Sequence, residues 1–254
     1  VNVGDNVFVD DWRNDYKPTE IESIDHALIV GSYTRLEQPM INHRIRKAVL
    51  NGASVNTINS KQFDFNFSTE LDVLIAPQKI LPTLHSILKS LHSKLGTDVP
   101  KYLSKAIPDN VHNKIADDLI ASKDGVIVLG EHLNSNPSSS AIMNLISQIA
   151  QITDLKIANL TLSGNSHAAE RVGFIPTKNG MNAISMFNEN TKAFILMDVD
   201  CDYDFINLQS AVDCFNNEDV FVVSLSSFEN EALLTNADVI LPMASYYEAS
   251  GTHI

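Results

Sequence analysis

The chain has 254 residues, 44% of them hydrophobic, with a mean hydropathy of −0.03, the composition of a soluble globular protein with room for one large domain or two ordinary ones. Its 31 acidic residues against 18 basic ones give a formal charge of −13, which disfavours nucleic acid and anionic lipid and suits docking to a basic partner. No apolar run reaches the roughly 20 residues that cross a bilayer, and the acidic start lacks the basic residues and apolar core of a signal peptide.

Residues 1–19 show no periodicity and read as a leading arm or linker. From Ile21 to Asn59 the pattern is strand, turn, helix, strand. Ala27–Val30 is a short apolar run, as expected of a strand buried on both faces of a parallel sheet. Gly31 ends it, and Ser32–Gln38 is a polar turn. Pro39 stands where a helix starts, since its missing N–H has no partner to lose there. Ile41, Ile45 and Val49 recur at four-residue spacing opposite His43, Arg44, Arg46 and Lys47, an amphipathic stripe. Asn51-Gly52 stops the helix and Val55–Ile58 returns as a strand.

Further buried strands are expected at Leu71–Ile75, Val126–Leu129, Leu155–Asn159, Ala193–Met197, Val220–Leu225 and Val239–Leu241. Helical periodicity covers Ile80–Leu95, Val111–Ala121, Ser138–Ile149 and Phe205–Phe215. Alternating strands and helices predict an α/β fold of doubly wound parallel sheets. The polar, glycine-ended Ser122–Gly125 is the weakest joint, so the expected lobes are 20–122 and 123–254.

Several chemistries are absent from the pattern. There is no G-x-G-x-x-G or G-x-x-x-x-G-K-[ST] phosphate loop, no H-E-x-x-H and no C-x-x-C. The two cysteines, Cys201 and Cys214, are too few for an iron–sulfur cluster, which usually needs four thiolates. Both read as reduced thiols, Cys214 on the inner face of the helix after Asp204 and Cys201 in an accessible polar loop. Gly164-Asn165-Ser166-His167-Ala168 is out of order for a nucleophile elbow and reads as a turn capping the next helix. Asp198-Val-Asp-Cys-Asp-Tyr-Asp204 opens like a calcium loop, but Tyr203 replaces the glycine and Gln209 the final glutamate. It reads as an acidic turn in which Asp204 caps the following helix. Arg44, Arg46 and Lys47 form the one basic cluster, either a solvated face or a partner contact. His43, His132 and His167 share no spacing that suggests a metal site.

Three stretches, in order, carry a family resemblance. They are IESIDHALIVGSYTRLEQPMINHRIRKAVLNGASVNTIN (Ile21–Asn59), LSGNSHAAERVGFIP (Leu162–Pro176) and NADVILPMASYYEASGTHI (Asn236–Ile254). The first and last resemble the molybdopterin-oxidoreductase superfamily, where an "AD-(apolar)-G-(turn)-P-(apolar)-IR-A-G-A" unit opens one α/β domain and "ADVVLP-A-E-G-T" lies near the end of its neighbour. The middle stretch is similar to the "N-S-x-G-A…G…P" segment of one branch, the large iron–sulfur subunit of respiratory NADH–quinone oxidoreductase (complex I).

The resemblance implies two Rossmann-like lobes of the kind seen in formate dehydrogenase and DMSO reductase. It also implies a fragment of a longer polypeptide whose missing N-terminal part holds the 2Fe-2S and 4Fe-4S clusters that pass electrons from NADH toward quinone, coupled to proton translocation. The expected partners are other peripheral-arm subunits, with no nucleic acid, membrane insertion or small-molecule substrate. The expected place is the cytoplasmic face of the bacterial inner membrane or the mitochondrial matrix side.

In pterin-bearing relatives, a Gly-x-Asn-Pro type turn meets the guanine dinucleotide of the cofactor. Here the second lobe has MDVDCDYD and the first has Gly31-Ser32-Tyr33-Thr34-Arg35. Carboxylates beside a diphosphate repel it by roughly 4 kcal/mol per pair at 4 Å and an effective dielectric of 20. The chain is therefore expected to be a cofactor-free scaffold with no catalytic, cofactor-binding or metal residues. The alternatives are an active molybdenum or tungsten bis-pterin oxidoreductase of the formate dehydrogenase or nitrate reductase type, in which Gly31–Arg35 and Asp198–Asp204 touch the cofactor, and a stand-alone module for a small anion.

Overall fold

A computed structural model describes residues 17–134, 136–160, 165, 168–169, 172–174, 176, 180–205 and 207–252. The chain divides into two units, with the boundary at 163/164.

The first unit is built on a five-stranded parallel sheet in the order β3-β2-β1-β4-β5, comprising β1 (His26–Val30), β2 (Ser54–Asn59), β3 (Leu71–Leu74), β4 (Gly125–Leu129) and β5 (Lys156–Asn159). Both faces are covered, which is why Ala27–Val30 of β1 and Val126–Leu129 of β4 read as unbroken apolar runs and both strands are buried at every residue. On one face Leu28, Val30, Ile58, Ile127 and Leu129 pack against α3 (Ile80–Leu95), α4 (Asn110–Ala121) and α6 (Ser139–Thr153). On the other, Ala27, Ile29, Val55, Val126 and Val128 pack against Ile45 and Ala48 of α2 (Pro39–Leu50) and against Ile21, Ile24 and Phe65. Two one-turn helices, α1 (Thr34–Glu37) and α5 (Glu131–Asn134), follow β1 and β4.

The expected lobe boundary at 122/123 is corrected. Val126–Leu129 of β4 pairs in register with Ala27–Val30 of β1, and β5 pairs with β4, so 123–160 completes the first sheet. The polar joint serves a tight connection. Asp25 accepts hydrogen bonds from the Ser122 hydroxyl at 2.5 Å and the amides of Lys123 and Asp124 at 2.8 and 3.3 Å. At Gly125 a Cβ would come within 2.3 Å of the Ser122 hydroxyl. Such a stretch has the composition of a linker because close backbone approach needs the same residues.

The second unit holds a parallel sheet in the order β6-β7-β8, formed by β6 (Ala193–Met197), β7 (Phe221–Ser226) and β8 (Val239–Pro242). Its helices are α7 (Ala183–Asn188), α8 (Cys201–Asp204), α9 (Leu208–Phe215) and α10 (Glu231–Asn236). Strands succeed one another in a single direction, and right-handed crossovers then place α9 and α10 on one face. Phe194, Leu196 and Val222 meet Ala211, Phe215 and Leu233 there. The expectation of burial on both faces is met on one: β6 alternates, with Ile195 and Met197 at 73% and 65% exposure.

Two further expectations in this unit are corrected. Helix α9 begins at Leu208 and is capped by Asn207, whose side chain accepts from the Ser210 amide. Asp204 instead closes α8, accepting from the Asp200 amide at 2.7 Å. Cys201 is 1% exposed, whereas Cys214 is only half-buried, the reverse of the expected order. The one-turn helix α8 rotates Cys201 inward onto Ala211 and Phe215.

Candidate functional site

In an open parallel sheet, ligands bind at the carboxyl ends of the strands where the strand order reverses. In the order β3-β2-β1-β4-β5 that point lies between β1 and β4, where Gly31–Glu37 faces Gly130–Leu133.

This crevice is shut. A Cβ on Gly130 would lie 2.2 Å from the Gly31 carbonyl oxygen and 2.5 Å from the Ser32 Cα. Gly31 has φ +62°, and a Cβ there would meet the Leu133 side chain at 2.6 Å. The backbone donors of the turn are taken internally. The Ser32 amide donates to Asn59 Oδ1 at 2.9 Å. The Tyr33 amide donates to Glu37 Oε1 at 2.7 Å. The Ser32 hydroxyl and the Glu131 amide both reach Glu37 Oε2, at 3.1 Å each. Thr34 donates to Asn42 Oδ1, and Asn42 in turn donates to the Phe65 carbonyl. Tyr33 stacks on Phe63 with centroids 4.6 Å apart, and Phe65 and Phe67 continue the aromatic row.

The second candidate region lies beyond β6 and β7. Asp198, at φ +49°, accepts from the amide and hydroxyl of Ser227 at 3.1 and 2.6 Å. Asp200 Oδ1 accepts from the Asp202 amide and from Asn230 Nδ2 at 3.1 and 3.0 Å. These carboxylates organise their own turn. Among the described residues, no group of three or more His, Cys, Asp or Glu side chains is placed to hold a metal ion. Burial, followed by the charges of Asp200, Asp202 and Asp204, pushes the Cys201 thiol up to about 11, which makes it a poor nucleophile or metal ligand. A cavity of about 310 Å³ lies beside this turn, lined by Ser224, Ser226, Ser227, Asn230, Leu233 and Pro242 among others.

The basic cluster is largely engaged. Glu22 takes Arg44 at 2.5 Å and Lys47 at 3.2 Å, fastening the 3-10 turn Pro18–Ser23 to α2. His43 and His132 are exposed. Ser166 and His167, with most of Leu162–Pro176, lie outside the described residues. Of that stretch, Asn165 donates through Nδ2 to the Thr252 carbonyl at 2.7 Å, so the second and third resemblance motifs meet in space. Glu37, Asn59 and the Phe63–Phe67 row carried no sequence signal, because a lone polar residue in a turn and alternate aromatics in a loop match no site pattern.

The profile of the family described as Molybdopterin oxidoreductase matches residues 3–254. The chain belongs to this family. It is 26% identical over 255 aligned positions to the NADH-ubiquinone oxidoreductase 75 kDa subunit of Reclinomonas americana, covering 96% of this chain and 31% of that protein. It is 27% identical to the mitochondrial NADH-ubiquinone oxidoreductase 78 kDa subunit of Candida albicans, over 92% of this chain and 27% of that one. The chain thus spans about a third or less of these relatives. Among solved structures, the formyltransferase/hydrolase complex of Methylorubrum extorquens matches with a TM-score of 0.57 at 13% identity, covering 88% of this chain and 63% of that one, a likeness of fold.

Family membership raises the question of a pterin dinucleotide. The switch-point crevice does not fit one: its loops are in van der Waals contact, and its amides at Ser32, Tyr33 and Glu131 are bonded to Asn59 and Glu37. The second lobe presents Asp198, Asp200, Asp202 and Asp204 where a diphosphate would meet repulsion.

Proposed function

We propose that this chain is the α/β scaffold of the large iron–sulfur subunit of a proton-translocating NADH–quinone oxidoreductase, and that it carries no redox cofactor itself. Iron–sulfur clusters sit elsewhere in the parent polypeptide, and the chain supports that cluster-bearing part in the peripheral arm, on the cytoplasmic or matrix side of the membrane. Its acidic surface meets neighbouring subunits. What supports this reading is the shut crevice of the first lobe, in a chain that aligns over nearly its whole length with the 75 kDa and 78 kDa subunits of two NADH-ubiquinone oxidoreductases. Among the described residues no helix is long and apolar enough to cross a membrane, in keeping with a peripheral position.

The test is affinity purification of the tagged native polypeptide from its host. Co-purification of further subunits with NADH–quinone reductase activity is the expected result. A polypeptide recovered without such subunits, reducing nitrate or oxidising formate, would contradict it.

A further inference from the structure

The chain's charge is concentrated in its second unit. Between residues 164 and 254 the sequence has thirteen Asp and Glu against three Lys and Arg, a formal −10 of the total −13. The cavity of about 310 Å³ at the carboxyl end of β7 lies within this unit. Its volume is at the small end of ligand sites, suited to a single side chain. Leu233, Ile240 and Pro242 give it apolar walls, Glu229 adds a carboxylate, and Phe228 lines it while 77% exposed. Ser224 lines it too, at 1% exposure, and the Ser224 hydroxyl has no hydrogen-bond partner among the described residues. The hydroxyls of Ser226 and Ser227 are committed, the first to the Phe228 carbonyl and the second to Asp198, at 2.6 Å each. A buried hydroxyl left unpaired costs free energy that a donor from outside recovers, and a serine oxygen has lone pairs to offer one.

We propose that this cavity receives the side chain of an arginine presented by a neighbouring protein. The methylene stem matches the apolar walls, and a guanidinium N–H donates to Ser224 Oγ. The field there favours a cation. Glu229 is in the lining, and Asp198 and Asp200 are each one hydrogen bond behind it, through Ser227 and Asn230. An anion would be repelled by the same three carboxylates. Arginine fits better than lysine because its guanidinium is more weakly hydrated than an ammonium and loses less on leaving water. The partner is a protein with a basic surface, because a charge of −10 over one small unit steers a matching surface as well as a single group. The inference rests on the scaffold reading, in which the acidic surface meets neighbouring subunits, and adds the place and the residue type of one contact.

The experiment titrates the purified native polypeptide with N-acetylarginine methylamide and with its lysine and citrulline counterparts, followed by ligand-observed NMR. The arginine compound should bind saturably in the millimolar range and more weakly as salt rises. The lysine compound should bind several-fold more weakly, and the citrulline compound, which keeps the shape without the charge, should not bind. Ser224→Ala should weaken the arginine compound about tenfold, the loss of one hydrogen bond to a charged group. It should do so without lowering the thermal midpoint, since it removes an unpaired buried hydroxyl. Should Ser224→Ala not fold, Leu234→Trp takes its place: Leu234 lines the cavity at 53% exposure, and the larger ring there should abolish binding. Absence of saturable binding overturns the proposal, as does citrulline or lysine binding as tightly as arginine, or arginine binding that neither substitution weakens. A native polypeptide that purifies without further subunits would count against the scaffold reading alone, and would leave these titrations, which involve no subunit, unchanged.

Discussion

Gly130 and Gly31 touch across the β1–β4 crevice so closely that a single added carbon would lie 2.2 Å from the Gly31 carbonyl oxygen. The contact fixes where the two loops stand and leaves no volume between them. Gly130→Ala should therefore cost about 1–3 kcal/mol, the range of an overpacked core, read as a fall in the denaturation midpoint with unchanged slope. A near-neutral substitution would mean that the loops part easily and that the crevice opens in solution.

His26 is buried at the start of β1, with Nδ1 2.8 Å from the Ser54 hydroxyl. Burial pushes its imidazole below the ordinary value, against the pull of Asp118, Asp25 and Glu70 and with a smaller contribution from Lys114. The unfolded chain takes up the proton near pH 6.5 and the folded one only at lower pH. Stability is therefore full above about pH 6.5, falls as the pH drops below it, and stops falling on this account once the folded-state value is passed. Subtracting the pH profile of His26→Gln from that of wild type should isolate this slope. Coincident profiles would remove His26 as its source.

The cysteines should react in an order set by burial. Cys201 is 1% exposed with its thiol pushed up to about 11, while Cys214 is half-buried and raised by burial alone. In native protein at mildly alkaline pH, a thiol reagent should label Cys214 first, and Cys201 only at the rate of unfolding. Peptide mapping after timed labelling checks this, and prior labelling of Cys201 would mean that α8 detaches readily.

Arg44 and Lys47 share Glu22, with side-chain exposures of 23%, 46% and 33%. Arg44→Ala should cost about 1 kcal/mol, at the upper end for a partly exposed pair, because it loosens the Pro18–Ser23 turn from α2. On the scaffold role proposed above, charge reversal at Arg44, Arg46 and Lys47 should weaken assembly with neighbouring subunits. Repeating it with Glu22→Lys separates the internal pair from a partner contact. Assembly that recovers with the compensating change would assign the defect to the fold.

The parallel sheets were legible because their central strands carry their own signature: Ala27–Val30 and Val126–Leu129 are apolar throughout, and the turns around Gly31, Pro39 and Asn51-Gly52 have local causes. The lobe boundary was not legible, since Ser122–Gly125 is polar and glycine-ended both in a linker and in a tight strand entry. Glu37 was hidden because one of its partners, Glu131, lies 94 residues further along the chain. Cys201 was misplaced because one turn of helix, too short to show periodicity, decides which way it faces. Ile195 and Met197 look like core from sequence, but among the described residues the apolar cluster of this unit lies on the other face of β6 and β7.

Metal analysis of the native polypeptide, purified from its host, tests the central claim most directly. Plasma mass spectrometry for iron, molybdenum and tungsten, with a fluorescence assay for released pterin, should find iron without molybdenum, tungsten or pterin. One molybdenum or tungsten per chain would contradict the scaffold account and make the crevice and the Asp198–Asp204 turn parts of a cofactor site.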